Sequence, residues 1–409
     1  MVANPAANSP VTNIDPANGE LLSRIATVQH RKPASCKGEL RLRICHVIES
    51  ANAGSATILQ GLALHAVRRG HEVHVRYAPR RADPQIIQAL CVGGCASVVP
   101  TMMRREVGVW DVSDGIALRR SLGQLGALDV IHSHSSKAGV LARTFGRFRS
   151  AAQVYSPHGF YTMTGEAPFY ATHVERVLSA FTDRIIAVSE YERRHALELG
   201  IAHDRISVVP NGIAPFASLP RARAREELGF SSEDFLVGFV GRLVPQKNPV
   251  DAIEAIGLVK PGLNVRLAVI GDGILRGEAE ARATASGSRA TFLGTRDAKR
   301  LFSAFDVLLC TSRYEGLPVT FLEAINCGVP LISYPVGGTA EMIVEGNTGF
   351  EVEPTPVAAA KAIEKVAALT PTLRAHMALA CKALAVQHTD AVMGDKTLSI
   401  YESILSRRA

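Results

Sequence analysis

Two cationic side chains stand near each other in Gly241–Pro249, directly after an apolar, β-branched run. The stretch reads Gly-Arg-Leu-Val-Pro-Gln-Lys-Asn-Pro, and its cations are Arg242 and Lys247. A guanidinium can hold a phosphate through two hydrogen bonds, and an ammonium is a compact positive charge. The pair therefore predicts contact with an anion such as a diphosphate. An arginine and a lysine at this spacing are, on their own, also compatible with ordinary surface charge.

A second anion-binding element is predicted between Glu315 and Gly328. Pro318 suits the first position of a helix and Gly328 suits the residue just past its end, which predicts a helix of about three turns. Backbone N–H groups at a helix start bind phosphate, and Gly316 allows the backbone to come close. The residues expected to hold a diphosphate in this way are Gly316, Leu317, Pro318 and Val319.

Two carboxylates flank this predicted helix start. Glu315 precedes it, and Glu323 lies one to two turns inside, about 8 Å further along at 1.5 Å per residue. A carboxylate is a good acceptor for paired hydroxyls, so Glu323 fits a ribose and Glu315 fits the hydroxyls of a sugar. The alternative interpretation is that both are solvated acids near a helix end.

Candidate metal ligands are few. The sequence contains no Asp-x-Asp pair that would bring a divalent metal to a diphosphate. His132 and His134 share one face of a predicted strand, but no third ligand is evident, so we interpret them as local hydrogen-bonding groups. Cys91 and Cys95 receive the same interpretation. We therefore expect no metal and no other cofactor.

These residues follow short apolar runs that alternate with amphipathic stretches, the pattern of parallel sheets covered by helices. In such doubly wound α/β folds, ligands bind beyond the carboxyl ends of the strands. The predicted strands of a first series are Arg43–Ile48, Glu72–Tyr77, Ala96–Val99, Asp129–Ser133, Gln153–Ser156, Arg184–Val188 and Ile206–Val209. Those of a second series are Phe235–Val240, Val265–Ile270, Ala290–Leu293, Val307–Cys310 and Val329–Ser333, with helices after Pro354.

The chain has 409 residues, which fits two domains of roughly 170 to 200 residues. We predict a disordered leader over 1–39, an acceptor domain over 40–212 and a donor domain over 213–389. A C-terminal helix over 390–409 is expected to pack back toward the first domain. The seven cysteines are scattered, which favours reduced thiols over a disulfide framework.

Charge is unevenly distributed along the chain. Residues 1–212 contain 24 Lys and Arg against 17 Asp and Glu, which accounts for the whole net charge of +7. The basic half either is a solvated surface or contacts an anionic membrane or lipid phosphate; nucleic acid is disfavoured because no reader motif appears. No secretion signal and no apolar run of about 18 residues is present. We expect a cytoplasmic protein with peripheral contact to the inner face of the cytoplasmic membrane.

Four ordered motifs resemble those of family 4 glycosyltransferases. They are Gly-Arg-Leu-x-x-x-Lys-Asn from Gly241, Val269–Gly273, the pair Glu315 and Glu323 followed by Gly328-Val329-Pro330, and Val336–Glu341. The resemblance implies a GT-B architecture, with two Rossmann-like domains facing each other across a cleft, and retention of anomeric configuration without a metal. It also implies roles for four residues: Arg242 and Lys247 bind the donor diphosphate, Glu323 binds ribose and Glu315 contacts the transferred sugar.

The first half resembles the family more loosely. Glu49–Ser55 occupies the place of a family Gly-Gly pair near the donor, and only Gly54 matches. Ser156-Pro157-His158-Gly159 resembles the segment with the family's histidine at the sugar end of the cleft, which makes His158 a candidate catalytic residue beside Glu315. Ser133–Gly139 is similar to members that build surface polysaccharides on polyprenyl-diphosphate carriers. These features imply a lipid-linked saccharide acceptor and a nucleotide-sugar donor, for which we expect a UDP-sugar.

Two other classes of function stay open. A nucleotide-sugar epimerase would change the donor without an acceptor, and a phosphorylase would require inorganic phosphate. A non-catalytic nucleotide-sugar-binding subunit should have lost the phosphate-binding cations, which are present here. The sequence identifies neither the sugar, the base, the acceptor nor the linkage.

Overall fold

A computed structural model of the chain describes residues 41–147, 151–165 and 167–408. These residues form two parallel β-sheets whose strands are connected mainly through helices. The expected leader over 1–39 and its Cys36 lie outside the described residues.

The first sheet has seven strands in the order β3-β2-β1-β4-β5-β6-β7, and every pair is parallel. Its strands β1 to β7 are Arg43–Ile48, Glu72–Tyr77, Ser97–Pro100, Val130–His134, Ala152–Ser156, Arg184–Ala187 and Ile206–Val208. The connecting helices α1 to α6 are Ala53–Arg68, Pro84–Val92, Trp110–Gly123, Ser136–Thr144, Tyr170–Ser179 and Glu190–Glu198.

The second sheet has six parallel strands in the order β10-β9-β8-β11-β12-β13. Its strands β8 to β13 are Phe235–Val240, Val265–Ile270, Ala290–Gly294, Val307–Cys310, Leu331–Ser333 and Gly349–Glu351. Helices α7 to α14 are Arg221–Leu228, Pro249–Gly257, Arg276–Ser286, Ala298–Leu301, Val319–Asn326, Pro356–Ala367, Pro371–Ala385 and Asp390–Ser406.

The central strands of both sheets are buried on both faces. All five residues of β4 and of β5 are buried, as are the four residues of β11. Continuous β-branched and apolar runs form such strands because helices cover both faces of a parallel sheet. This burial fixes the strand ends, and with them the loops that follow, in a rigid frame.

The predicted α/β class with two doubly wound sheets is confirmed, and each predicted strand agrees with an observed one to within two residues. Strand β13 was not predicted. The predicted start of α11 was wrong by one residue: Pro318 is extended at the N-cap, with φ −64° and ψ 126°, and the helix runs from Val319 to Asn326. It therefore has about two turns rather than three.

The last helix, α14, contacts the first helix, α1. His65 in α1 hydrogen-bonds to Asp395 at 2.8 Å, and Arg68 pairs with Asp390 at 2.8 Å. Further along α14, the buried Tyr401 hydroxyl lies 2.5 Å from Nδ1 of His132 in β4. The domain limits given from the sequence stay a prediction, to which the structure adds these contacts. Within the described ranges, no helix has the length and apolarity to cross a bilayer.

Candidate active site

The order of strands reverses between β1 and β4 in the first sheet and between β8 and β11 in the second. Loops that leave neighbouring strands on opposite sides of a sheet open a crevice at such a point. A cavity of about 320 Å³ lies there, between the loops of the two sheets. The residues that line it include Gly54, Arg81, His158, Asn211, Arg242, Gln246, Lys247, Glu315, Gly316, Leu317, Pro318, Val319 and Thr320. The structure thus brings together every site residue predicted from the sequence except Glu323.

The cationic side of the cavity centres on an ion pair. Nζ of Lys247 lies 2.5 Å from Oε1 of Glu315, which also accepts a hydrogen bond from the Ser312 hydroxyl at 2.6 Å. Burial works against the charge of Lys247, but the Glu315 carboxylate outweighs it, and the pKa of Lys247 is raised above its usual value. Arg242 is exposed and donates to the Gln246 amide at 3.4 Å. Both cations line the cavity.

The start of α11 comes very close to the first sheet. A Cβ at Gly316 would lie 3.0 Å from the backbone nitrogen of Gly159 and 3.1 Å from the carbonyl carbon of His158, so a side chain here would push the two backbones apart. On the other side, a Cβ at Gly54 in α1 would lie 3.1 Å from Val319. The first turns of α1 and α11 thus meet across the cavity, and N–H groups in a first turn lack partners inside their helix. The arrangement suits an anion.

Glu323 lies further along α11 and does not line the cavity. Its side chain is 12 % exposed, and its nearest cation is Lys299 at 4.0 Å. Burial raises the pKa of Glu323 to about 7. The nearby Lys299 lowers this pKa, whereas the nearby Asp297 raises it further. The role predicted for Glu323 stays a prediction, while its neighbours at the helix start line the cavity.

Within the described ranges, three residues other than glycine have positive φ, and all three lie in loops after strands at the cleft. They are Ser135 after β4, His158 after β5 and Asn248 after β8, with φ of 69°, 54° and 48°. Residues with a side chain rarely adopt this backbone conformation. It persists where surrounding contacts impose it, often at functional sites.

Glu192 supports the loop that contains His158. Its carboxylate accepts hydrogen bonds from the backbone N–H of Gly159 at 2.6 Å and from that of Val188 at 2.7 Å. Burial raises the pKa of Glu192 to about 7, although both N–H donors act in the opposite direction. This carboxyl group fixes two loops of the first sheet at once, and sequence reasoning missed it because a glutamate in the first turn of a helix is common.

Three buried histidines lie behind a fourth, His158, which is half-buried and lines the cavity. His46 Nδ1 lies 2.9 Å from His134 Nε2, and His134 Nδ1 lies 3.0 Å from His158 Nε2. The His132 ring lies beside the His134 ring, tilted by 32° and with ring centroids 4.1 Å apart, but its nitrogens contact other groups, the Tyr401 hydroxyl and the Ser156 hydroxyl. The sequence shows no third ligand beside His132 and His134, but the structure supplies one, because β1 aligns His46 with His132.

One ring nitrogen from each of His46, His132 and His134 lies within 4.8 Å of the other two, close enough to consider a metal. Both nitrogens of His132 and of His134 already have hydrogen-bond partners. These contacts favour the hydrogen-bonding interpretation. Burial lowers the pKa of all four histidines, to about 3 for His46 and about 4 for His158, so the rings are uncharged near neutral pH.

Cys91 and Cys95 are free thiols. Burial raises the pKa of both, to about 12 for Cys95, which disfavours the thiolate that a metal requires. Two further residues at the cavity were missed from the sequence. Asn211 donates to the carbonyl of Leu317 at 3.0 Å, and Arg81 pairs with the buried Glu49 at 2.8 Å. Neither has a sequence signal, because both act through partners that are distant along the chain.

Comparison with known proteins agrees with this geometry. Residues 53–215 match the model of the family "Glycosyltransferase Family 4", and residues 220–380 match that of "Glycosyl transferases group 1". Between them, the two matches cover every strand of both sheets except β1.

Individual relatives match over part of the chain. The UDP-Gal:alpha-D-GlcNAc-diphosphoundecaprenol alpha-1,3-galactosyltransferase of Escherichia coli is 29 % identical over 277 residues, which cover 63 % of this chain and 70 % of the relative. The Vi polysaccharide biosynthesis protein VipC/TviE of Salmonella typhi is 36 % identical over 168 residues, which cover 39 % of this chain and 29 % of that protein.

Among solved structures, Anabaena Alr3699/HepE in complex with UDP and glucose superposes with a TM-score of 0.77 and 21 % identity, over 89 % of this chain and 100 % of that one. This likeness supports the fold alone. The predicted GT-B arrangement of two Rossmann-like halves is thereby confirmed.

Proposed function

We propose that this chain, a glycosyltransferase whose two halves belong to Glycosyltransferase Family 4 and Glycosyl transferases group 1, transfers a sugar from a UDP-sugar to a lipid-linked saccharide. The reaction retains anomeric configuration and needs no metal. One observation carries the proposal: Arg242, Lys247 and the first turn of α11 line a single cavity between the two sheets.

The donor diphosphate binds between these cations and the helix start. Its negative charge is matched by Arg242 and Lys247 and by the backbone N–H groups of α11. Charge that grows on a leaving diphosphate is stabilised most by groups that are already in place, so no metal is required for that task. The absence of an Asp-x-Asp pair from the sequence fits this arrangement. UDP is favoured because Anabaena Alr3699/HepE, which shares the fold, was crystallised with it.

The two candidate catalytic residues lie at the sugar end of the donor. Glu315 faces the transferred sugar once the diphosphate draws Lys247 toward itself, and His158 faces it from the first sheet. The acceptor oxygen forms its bond to the anomeric carbon on the face from which the diphosphate departs. As the bond between that carbon and the phosphate oxygen breaks, the departing diphosphate takes the acceptor's hydroxyl proton. Binding both substrates in one closed cleft supplies the proximity that this step needs.

A saccharide on a polyprenyl diphosphate is the proposed acceptor. The name of the Escherichia coli relative specifies such a carrier, and the basic excess in residues 1–212 suits its phosphates. The acceptor would be the growing unit of a surface polysaccharide.

Two segments at the carboxyl edge of the first sheet suit peripheral contact with the membrane that holds this acceptor. Val109 is 87 % exposed at the start of α3, and Phe169 is 95 % exposed at the start of α5. Trp110 and Tyr170 beside them are also exposed. Such apolar and amphipathic side chains near arginines, here Arg105, fit the interface of an anionic bilayer.

The direct test incubates the purified protein with a panel of nucleotide-sugars and a membrane extract as acceptor, with and without EDTA. Transfer from one donor, unaffected by EDTA and with the anomeric coupling of the donor preserved in the product, is the expected result. Conversion of the donor without acceptor would identify an epimerase, and a requirement for inorganic phosphate would identify a phosphorylase. Donor binding without any turnover would identify a non-catalytic subunit.

A further inference from the structure

A line of three histidines runs from the core of the first sheet to the cavity. His46 in β1, His134 in β4 and His158 after β5 are joined by ring contacts of 2.9 and 3.0 Å. At the cavity end, Nδ1 of His158 is buried and has no hydrogen-bond partner. A buried polar atom without a partner is costly unless a ligand supplies one.

Each of these rings is uncharged, because burial lowers its pKa far below neutrality. An uncharged imidazole has one N–H donor and one bare acceptor nitrogen. His134 uses its two nitrogens for its two neighbours, so it must donate to one of them and accept from the other. The proton position on His158 is therefore tied to that on His46.

Only two arrangements satisfy both contacts. In the first, all three rings have their proton on Nε2, and His158 presents a bare Nδ1 acceptor to the cavity. In the second, all three have it on Nδ1, and His158 presents an N–H donor. A mixed arrangement would place two protons or two lone pairs against each other in a buried contact, which is unfavourable because a buried polar atom is left without a partner.

We infer that His46 and His134 are positioning residues that fix the ring and the proton of His158, so that Nδ1 of His158 meets a hydroxyl of the donor sugar in one defined role. This inference rests on the proposed place of His158 at the sugar. The backbone of His158, with φ 54°, and the hydrogen bond that Glu192 accepts from the N–H of the next residue, Gly159, hold the ring at the end of the line.

The first experiment needs no substrate. In the full-length protein labelled with ¹⁵N-histidine, nitrogen shifts distinguish a protonated from a bare ring nitrogen. We expect His46, His134 and His158 to share one proton position, either Nε2 in all three or Nδ1 in all three. Unlike positions within the line would overturn the inference, whether or not the protein transfers sugar. One bound equivalent of zinc that a chelator removes from these rings would overturn it as well.

The second experiment uses a matched pair of variants. His134→Gln removes the ring nitrogen that contacts His158. His132→Gln changes a ring on the same strand that is equally buried and lies against His134, but that is not part of the line of three. We expect kcat to fall about tenfold in His134→Gln, which corresponds to the loss of one hydrogen bond. In His132→Gln we expect kcat to fall less than about twofold, because the contact with His158 is kept. UDP affinity should stay unchanged in both.

In His134→Asn the side-chain amide lies near the position of the His134 Nδ1, so this variant should keep a higher kcat than His134→Gln. Equal losses in His134→Gln and His132→Gln would show that packing alone matters, which contradicts the inference. Loss of UDP binding in both would instead contradict the proposed donor site, so the two failures are distinguishable.

Discussion

At the scale of single residues, the ion pair of Lys247 and Glu315 determines how the cavity receives an anion. The two atoms are 2.5 Å apart, and the side chains are 19 % and 8 % exposed. A buried pair of this kind keeps Lys247 charged, since the carboxylate raises its pKa despite burial. A diphosphate that enters the cavity meets a cation already in place.

Replacement of Lys247 by alanine should therefore affect catalysis more than folding. We expect kcat to fall by about 10²–10³, the usual effect of deleting one group that stabilises charge in a transition state. Lys260→Ala, at an exposed ion pair with Glu364, is the control and should keep full activity. Initial rates with donor and acceptor, together with a thermal unfolding scan, measure both effects. Near-normal turnover in Lys247→Ala would contradict the site.

Glu323 gives a prediction about pH. Its pKa of about 7 is raised by burial, and only the ionised carboxylate can accept hydrogen bonds from both hydroxyls of a ribose. UDP binding should weaken as pH falls below 7, approaching tenfold per pH unit at the acidic end. Glu323→Gln should bind more weakly and lose this dependence. Calorimetric titrations of UDP into both proteins, at pH values from about 5.5 to about 8.5, would reveal this pH dependence. The same slope in the variant would assign the titration to another group.

At the scale of elements, the ends of the strands position the chemistry, and these ends were largely predictable. Buried parallel strands are continuous apolar runs that stand out in a sequence. Strand β13, Gly349–Glu351, has three residues and no such run, so it could not be recognised.

The residues of the candidate site likewise include some that could be predicted from the sequence and some that could not. Arg242, Lys247 and the α11 segment were predictable because each lies within a few residues of a strand end. The place of His46 was not, because it depends on the register of β1 against β4, which pairs His46 with His132. Glu192 likewise acts on a loop that is distant in sequence. Contacts set by register or by distant loops leave no local pattern.

The elements at the edge of the first sheet give a prediction about membranes. Val109→Asp and Phe169→Asp should each reduce binding to vesicles containing phosphatidylglycerol about tenfold or more, since burial of one large apolar side chain contributes about 1.5–3 kcal/mol. Leu379→Asp, at an exposed apolar position in α13, is the control. Co-sedimentation measures binding, and vesicles of phosphatidylcholine alone should bind all the proteins weakly. Equal binding by all variants to anionic vesicles would exclude this surface.

At the scale of the whole molecule, contacts that join the two halves frame the cavity. The Glu341 carboxylate accepts from the N–H groups of Glu190 at 3.0 Å and Tyr191 at 2.9 Å, at the start of α6 in the first half. An acid at a helix start is favourable for the helix dipole. Together with α14, this contact couples the loop that contains Glu341 to the first sheet.

Helix α14 provides the last prediction, since it returns from the second half to pack on α1. Gly394 faces the buried His65 ring so closely that an added Cβ would overlap it, whereas a Cβ at Gly277 in α9 meets nothing within 4 Å. Gly394→Ala should lower the free energy of unfolding by about 1–3 kcal/mol through overpacking. Gly277→Ala should raise it by up to about 1 kcal/mol through helix propensity.

Urea unfolding followed by circular dichroism compares these two variants under identical conditions. Because the same overlap pushes α14 away from α1, it should also disturb the packing of the second half on the first around the cavity, and Gly394→Ala should lose activity that Gly277→Ala keeps. A stable and fully active Gly394→Ala protein would mean that the two halves hold the cavity together without this helix.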